Sequence, residues 1–259
     1  MNQFEWRKAY AAYVNLDHRH DRRDRMIVEL ARVGLTAERS RAFYPHEIIE
    51  PTKNFTKTIS RGKGALGCYY SQMKVIKDAY NQCKSAFVLE DDLVFGSDVA
   101  KRLDYAQEFL NNNEWDVFWL GGTYCVSPPT WHDIGHTNID LPDCTCTLGK
   151  DVEKTSDARI VRTYGCWSTY AYIVNYESIP KILELLENDI EKSYAIDFSF
   201  IKFQPWLRTF AFLPAMARQY DNESNIGIGI SNFSHFSSLG QHWFKDTMEE
   251  LNPSQIQIL

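Results

Sequence analysis

A chain of 259 residues suits one large domain or two small ones, and 44% hydrophobic residues supply a sizeable core. A net charge of −6 argues against a nucleic-acid binder, although Arg19 to Arg25 form a local basic patch. No run approaches the roughly 18 apolar residues of a membrane span, and Met1 to Lys8 lack the apolar core of a signal peptide, so a cytoplasmic protein is the default expectation.

The first predicted element is an apolar strand over Ala9 to Leu16. It ends in a dense charged turn from Asp17 to Arg25. A helix follows from about Asp21, with Met26, Ile27, Leu30 and Val33 at helical spacing and Gly34 as the stop. A basic loop with interspersed acids suits a nucleotide or its phosphates. A solvated, ion-paired helix start has the same composition. Thr36 to Ile59 is polar, with a short strand around Arg41 to Phe43. Gly62, Gly64 and Gly67 then lead into a helix running to about Gln82. Glycines let a backbone approach a ligand, and a helix N-terminus favours an anion. The spacing is neither the P-loop nor the dinucleotide fingerprint, and a tight turn packing a helix onto the sheet explains the glycines equally well.

The sharpest signal is Ala86-Phe87-Val88-Leu89-Glu90-Asp91-Asp92, followed by the apolar Leu93 to Phe95. Ala86 to Leu89 reads as a buried strand. Three carboxylates at its end cannot all be buried without a positive partner, because desolvating each costs several kcal/mol. Hard cations such as Mg²⁺ or Mn²⁺ prefer carboxylate oxygens, and strand carboxyl ends bind ligands in open α/β sheets. An acidic turn facing water is the plainer reading. Ser97 or Asp98 can cap a helix from Val99 to Leu110, and Asn111 to Asn113 end it. Trp115 to Leu120 reads as a strand closed by Gly121-Gly122. Strands and helices thus alternate to residue 122, which predicts an α/β fold with a mainly parallel sheet.

The pattern dissolves from Thr123 to Arg159, a stretch punctuated by Pro128, Pro129 and Pro142. So long a loop is often functional, as a lid for example. Its His132 and His136 read as solvated histidines rather than ligands. Without a secretion signal, Cys68, Cys83, Cys125, Cys144, Cys146 and Cys166 are expected as free thiols, and Cys144-Thr145-Cys146 lacks zinc-knuckle spacing. Strands return over Arg159 to Tyr164 and Thr169 to Val174. Ser178 then caps a helix with Pro180 in its first turn. Asp197, alone among apolar and aromatic residues, is either a cap for the next helix or a base with a raised pKa. Phe210 to Leu213 reads as a strand leading to a polar loop, and the glycines and serines beyond predict a flexible tail holding His235 and His242.

Taken together, Tyr13 to Arg22, Gly64 to Ser71, Leu89 to Asp92, Trp115 to Gly121, Thr163 to Val174, Ile196-Asp197 and Pro214 to Ile226 make the chain resemble the family 25 glycosyltransferases, which include lipopolysaccharide and collagen galactosyltransferases. The matching stretches occur in the family's order over roughly residues 10 to 230. Two departures stand out. Gln72 takes the place of a histidine, and the Cys125 to Cys146 segment has no counterpart.

The resemblance implies a single GT-A-like domain, mainly parallel and Rossmann-like. A nucleotide-sugar half spans about 9–122, an acceptor half about 123–230 and a tail about 231–259. It implies inverting transfer of a hexose, galactose or glucose, from a UDP-sugar with Mn²⁺ or Mg²⁺ to a hydroxyl of a glycan or glycoconjugate. Asp92 is then the direct metal ligand, assisted by Glu90 or Asp91, with His235 as a third ligand and Asp221 or His242 behind it. Asp197 is the base. Asn15, Leu16, Arg22, Gly64, Gly67, Ser71, Asp91 and Gln219 are the donor-binding contacts. Peripheral membrane contact follows if the acceptor is lipid-linked. The rival readings are a nucleotidyltransferase using the same acidic site and a catalytically inactive sugar- or nucleotide-binding module.

Overall fold

The structure, a computed structural model, describes residues 3–48, 62–125, 157, 159–190, 195–220 and 244–247. Its strands are β1 (Tyr10–Asn15), β2 (Glu38–Arg41), β3 (Ala86–Glu90), β4 (Leu93–Phe95), β5 (Val117–Cys125), β6 (Ile160–Thr163), β7 (Gly165–Val174), β8 (Thr209–Phe212) and β9 (Ala217–Gln219). Its α-helices are α1 (His20–Val33), α2 (Gly62–Asn81), α3 (Val99–Asn112), α4 (Ile179–Asp189) and α5 (Ile196–Phe203).

A seven-stranded sheet runs in the order β2-β1-β3-β7-β5-β8-β6, and β4 pairs separately with β9. The β1–β2, β1–β3 and β5–β8 pairs are parallel, while β7 lies antiparallel between β3 and β5, and β6 antiparallel to β8. Five of the seven strands therefore point the same way, as expected of a Rossmann-like sheet. Of the strands after residue 123, β6, β7 and β8 complete this sheet, while β9 joins β4.

Both faces of the sheet are covered, which is why β3 reads as a continuous apolar run. On one face Val88, Trp119 and Tyr172 pack with Tyr69, Met73 and Ile76 of α2, Ile182 of α4 and Phe200 of α5. On the other, Phe87, Leu89 and Phe118 pack with Met26 and Leu30 of α1 and Leu103 of α3. Gly34 ends α1 in the left-handed conformation at φ 68°, as its place after the apolar stripe requires.

Four expectations are corrected. The second strand ends at Arg41 instead of centring beyond it, because its register with β1 runs from Ala12 opposite Glu38 to Asn15 opposite Arg41. Gly64 and Gly67 form no turn before a helix; they lie within α2. A Cβ on Gly67 would stand 2.7 Å from the carbonyl oxygen of Phe43, so that glycine serves close packing of helix on chain. Gly121-Gly122 do not close β5, which continues to Cys125 through irregular register. A Cβ on Gly121 would stand 2.3 Å from the carbonyl oxygen of Ala217, so the glycine admits a crossing backbone. Ser178 holds the N-cap position of α4 without capping it, because its hydroxyl donates to Asp116 Oδ1 at 2.6 Å.

Candidate active site

β1 and β3 lie side by side with Val14 opposite Glu90, so their carboxyl termini open at one end of the sheet. Asp91 and Asp92 form the turn from β3 into β4. β4 pairs with β9, placing Leu93 opposite Gln219, and the Tyr220 N–H donates to the Asp92 carbonyl at 3.0 Å. This small sheet carries Gln219 to the acidic turn from more than a hundred residues away in sequence.

The three carboxylates are not equivalent. Asp91 is buried and accepts from Arg22 Nη1 at 2.8 Å and from Asn15 Nδ2 at 2.7 Å. Asn15 also donates to the Arg19 carbonyl at 3.1 Å and accepts from Arg39 Nε at 2.9 Å. Asp91 thus ties the β1–α1 turn to the end of β3. Arg22, itself buried, reaches Asp92 Oδ2 at 3.3 Å.

Glu90 meets only neutral donors among the described residues. Gln219 Nε2 bridges Glu90 Oε2 at 2.9 Å and Asp92 Oδ1 at 3.1 Å. Gln72 Nε2 donates to Glu90 Oε1 at 3.0 Å, and the Cys68 thiol faces the same oxygen at 3.6 Å. Desolvation, then the charges of Asp92 and Asp91, push Glu90 well above the ordinary carboxylate range, with Arg22 pulling the other way. Burial pushes the Cys68 thiol up, and the charges of Glu90 and Asp197 add to it. Among the described residues the turn therefore holds three acids against one buried arginine, the imbalance a hard cation would relieve. Among the described residues, no three His, Cys, Asp or Glu side chains group to hold an ion. Two converging carboxylates fit a cation that takes its other ligands from phosphates and water.

Asp197 lies in the first turn of α5, behind Ala195 at the N-cap, and its Oδ1 accepts the Phe198 N–H at 3.0 Å. A carboxylate there complements the helix dipole.

The structure thus brings together Asn15, Arg22, Glu90, Asp91, Asp92 and Gln219. Leu16 enters through its carbonyl, which accepts the Arg19 N–H at 3.0 Å within the β1–α1 turn. Gly67 and Ser71 make their contacts with the chain after β2. The fully buried Ser71 hydroxyl accepts the Phe43 N–H at 2.9 Å and donates to the Gly67 carbonyl, fastening α2 to the chain after β2. Gly64 sits in the first turn of α2. His235, Asp221 and His242 lie outside the described residues, as does nearly all of the Cys125 to Cys146 segment.

Sequence reading notes Gln72 only as the replacement of a family histidine, and passes over Cys68 and Tyr172 as parts of this site. One signal was present. Gln72 falls four residues after Cys68, inside the buried stripe of Tyr69, Met73 and Ile76, where a polar group needs a partner.

A Rossmann-like sheet with an acidic cluster at the carboxyl end of a central strand is an architecture of glycosyltransferases. The model of glycosyltransferase family 25, described as an LPS biosynthesis protein, matches residues 11–200, and the chain belongs to that family. No curated protein matches it. No helix among the described residues is long and apolar enough to cross a membrane.

Proposed function

We propose that this glycosyltransferase is a GT-A-type, inverting, metal-dependent enzyme that moves a hexose, galactose or glucose, from a UDP-sugar to a hydroxyl of a glycan or glycoconjugate. One observation carries the reading. Asp91 is committed to Arg22 and Asn15, while Glu90 and Asp92 converge on one neutral amide, that of Gln219. This leaves two carboxylates converging on one neutral donor, with Arg22 at the other oxygen of Asp92.

Glu90 and Asp92 would hold Mn²⁺ or Mg²⁺. When bound, the ion neutralises charge on the diphosphate of the donor. Asn15 and Arg22 keep the acidic turn in shape through Asp91. Asp197 takes the proton of the acceptor hydroxyl as its oxygen attacks the anomeric carbon, and UDP leaves with the electrons of the broken bond. A carboxylate already hydrogen-bonded to a helix N–H keeps its orientation through this exchange.

The test is calorimetric titration of a panel of nucleotide sugars with Mn²⁺ and then with EDTA. Metal-dependent binding of one UDP-sugar, followed by transfer, supports the reading. Release of pyrophosphate would point to a nucleotidyltransferase instead. Absence of binding under both conditions would leave an inactive module.

A further inference from the structure

Two glutamines grip Glu90, and they are held differently. Gln219 is partly exposed, and among the described residues no donor fixes its amide oxygen. Gln72 is fully buried, and its amide oxygen accepts the hydroxyl of Tyr172, also fully buried, at 2.9 Å. With its carbonyl taken by a phenol, the Gln72 amide has one orientation left. Its NH₂ faces Glu90 Oε1 at 3.0 Å and the Cys68 sulfur at 3.4 Å. The chain Tyr172–Gln72–Glu90 runs from the central antiparallel strand through α2 to the end of β3. Tyr172 is clamped in turn by Trp119 and Phe200, at ring separations of 5.0 and 5.4 Å.

We propose that Gln72, locked by Tyr172, is a positioning residue that fixes the Glu90 carboxylate for a divalent cation. The inference rests on the metal reading above. A neutral amide suits the task for a physical reason. A lysine or arginine in its place would hold Glu90 equally well but would cancel the charge that attracts the ion. An apolar residue would leave the carboxylate free to turn and its oxygen unsolvated. Partners of this kind, one layer behind a metal ligand, typically change metal affinity by about 10- to 100-fold when removed.

The experiment compares Tyr172→Phe, Gln72→Met and the double variant with the wild type in the full chain. Mn²⁺ affinity is read by calorimetry without donor, and folding by thermal denaturation. Tyr69→Phe is the control. Tyr69 is another buried tyrosine; it lies on α2 with Gln72, but its hydroxyl bonds the Leu186 carbonyl at 2.9 Å and Ser199 Oγ at 2.8 Å. Tyr172→Phe is expected to weaken Mn²⁺ binding about 10-fold and to add little in the Gln72→Met background. Tyr69→Phe is expected to lower the melting temperature without moving Mn²⁺ affinity. A second readout is the Mn²⁺ concentration for half-maximal transfer, which rises with the dissociation constant while kcat at saturating Mn²⁺ holds. A wild type that binds Mn²⁺ and a folded Tyr172→Phe that binds it equally well would overturn the positioning role alone. A wild type that binds no Mn²⁺ would remove the metal reading and this inference with it.

Discussion

Two buried carboxylate sites sit at opposite ends of one sheet. Asp116 precedes β5 at the level where Ala86 begins β3, while Glu90 to Asp92 lie where β3 ends. Asp116 accepts from Ser178 Oγ at 2.6 Å, from the Arg208 N–H at 2.7 Å and from Arg208 Nη2 at 2.9 Å. One buried acid meets one arginine there, which also pairs with the exposed Glu114, and hydroxyl and backbone donors complete the site. Burial alone would raise its carboxyl, but the hydrogen bonds from Arg208 and Ser178 bring it down to about 2. At the other end three acids share one buried arginine, and Glu90 is pushed upward. Burial is common to both sites. Charge balance separates them: a balanced site holds the fold, and an unbalanced one is suited to hold a ligand.

The largest effects should come from the unbalanced end. Asp92→Asn is expected to remove metal-dependent donor binding and to lower transfer about 10³-fold, while the fold survives because like charge has been relieved. Asp197→Asn keeps an oxygen for the Phe198 N–H, so it should bind donor normally and lose transfer by about 10²- to 10⁴-fold. Steady-state kinetics with donor calorimetry separates the two. Normal transfer by Asp197→Asn would mean another group takes the proton.

The balanced end should respond the opposite way. Asp116→Ala strands the Ser178 hydroxyl and the Arg208 N–H, and should cost about 2–3 kcal/mol of stability. Arg208 is half-exposed and can recover water, which keeps the figure below that of a fully buried pair. Mn²⁺ affinity should not move. A change in metal binding without a loss of stability would break the comparison between the two ends.

The sequence made much of this legible. Ala86 to Leu89 is apolar at every position because both faces of β3 are buried, and the abrupt acids mark its carboxyl end. The partners of those acids were harder to read. Gln219 is brought in by the β4–β9 pairing, and Ala217-Arg218-Gln219 has no strand pattern of its own. Gln72 belongs to a helical stripe that reads as core. The glycines misled for a related reason. Gly67 and Gly121 answer to backbones from elsewhere in the chain, and no local window contains those neighbours.

Gly67→Ala sharpens the distinction between packing and ligand contact. Its Cβ would meet a backbone oxygen, which cannot swing aside as a side chain can, so α2 or the chain at Phe43 must shift. The expected cost is about 1–3 kcal/mol, read as a lower melting temperature. The Michaelis constant for donor should hold. A raised Michaelis constant with unchanged stability would support Gly67 as a donor contact.

A pH dependence carried by Asp116 is expected as well. Its folded pKa of about 2 lies below the ordinary value of 3.8, so the folded state favours the ionised form. The stabilisation is complete above the unfolded value and is lost as pH falls through about 4 toward 2. A shift of this size corresponds to about 2 kcal/mol. Denaturant melts at a series of pH values should therefore show wild-type stability falling across that window. Asp116→Asn, which has no charge to lose, should start lower and fall less steeply. Parallel curves for the two proteins would show that Asp116 does not carry the acid sensitivity, and that its ion pair with Arg208 adds less than its hydrogen-bond geometry suggests.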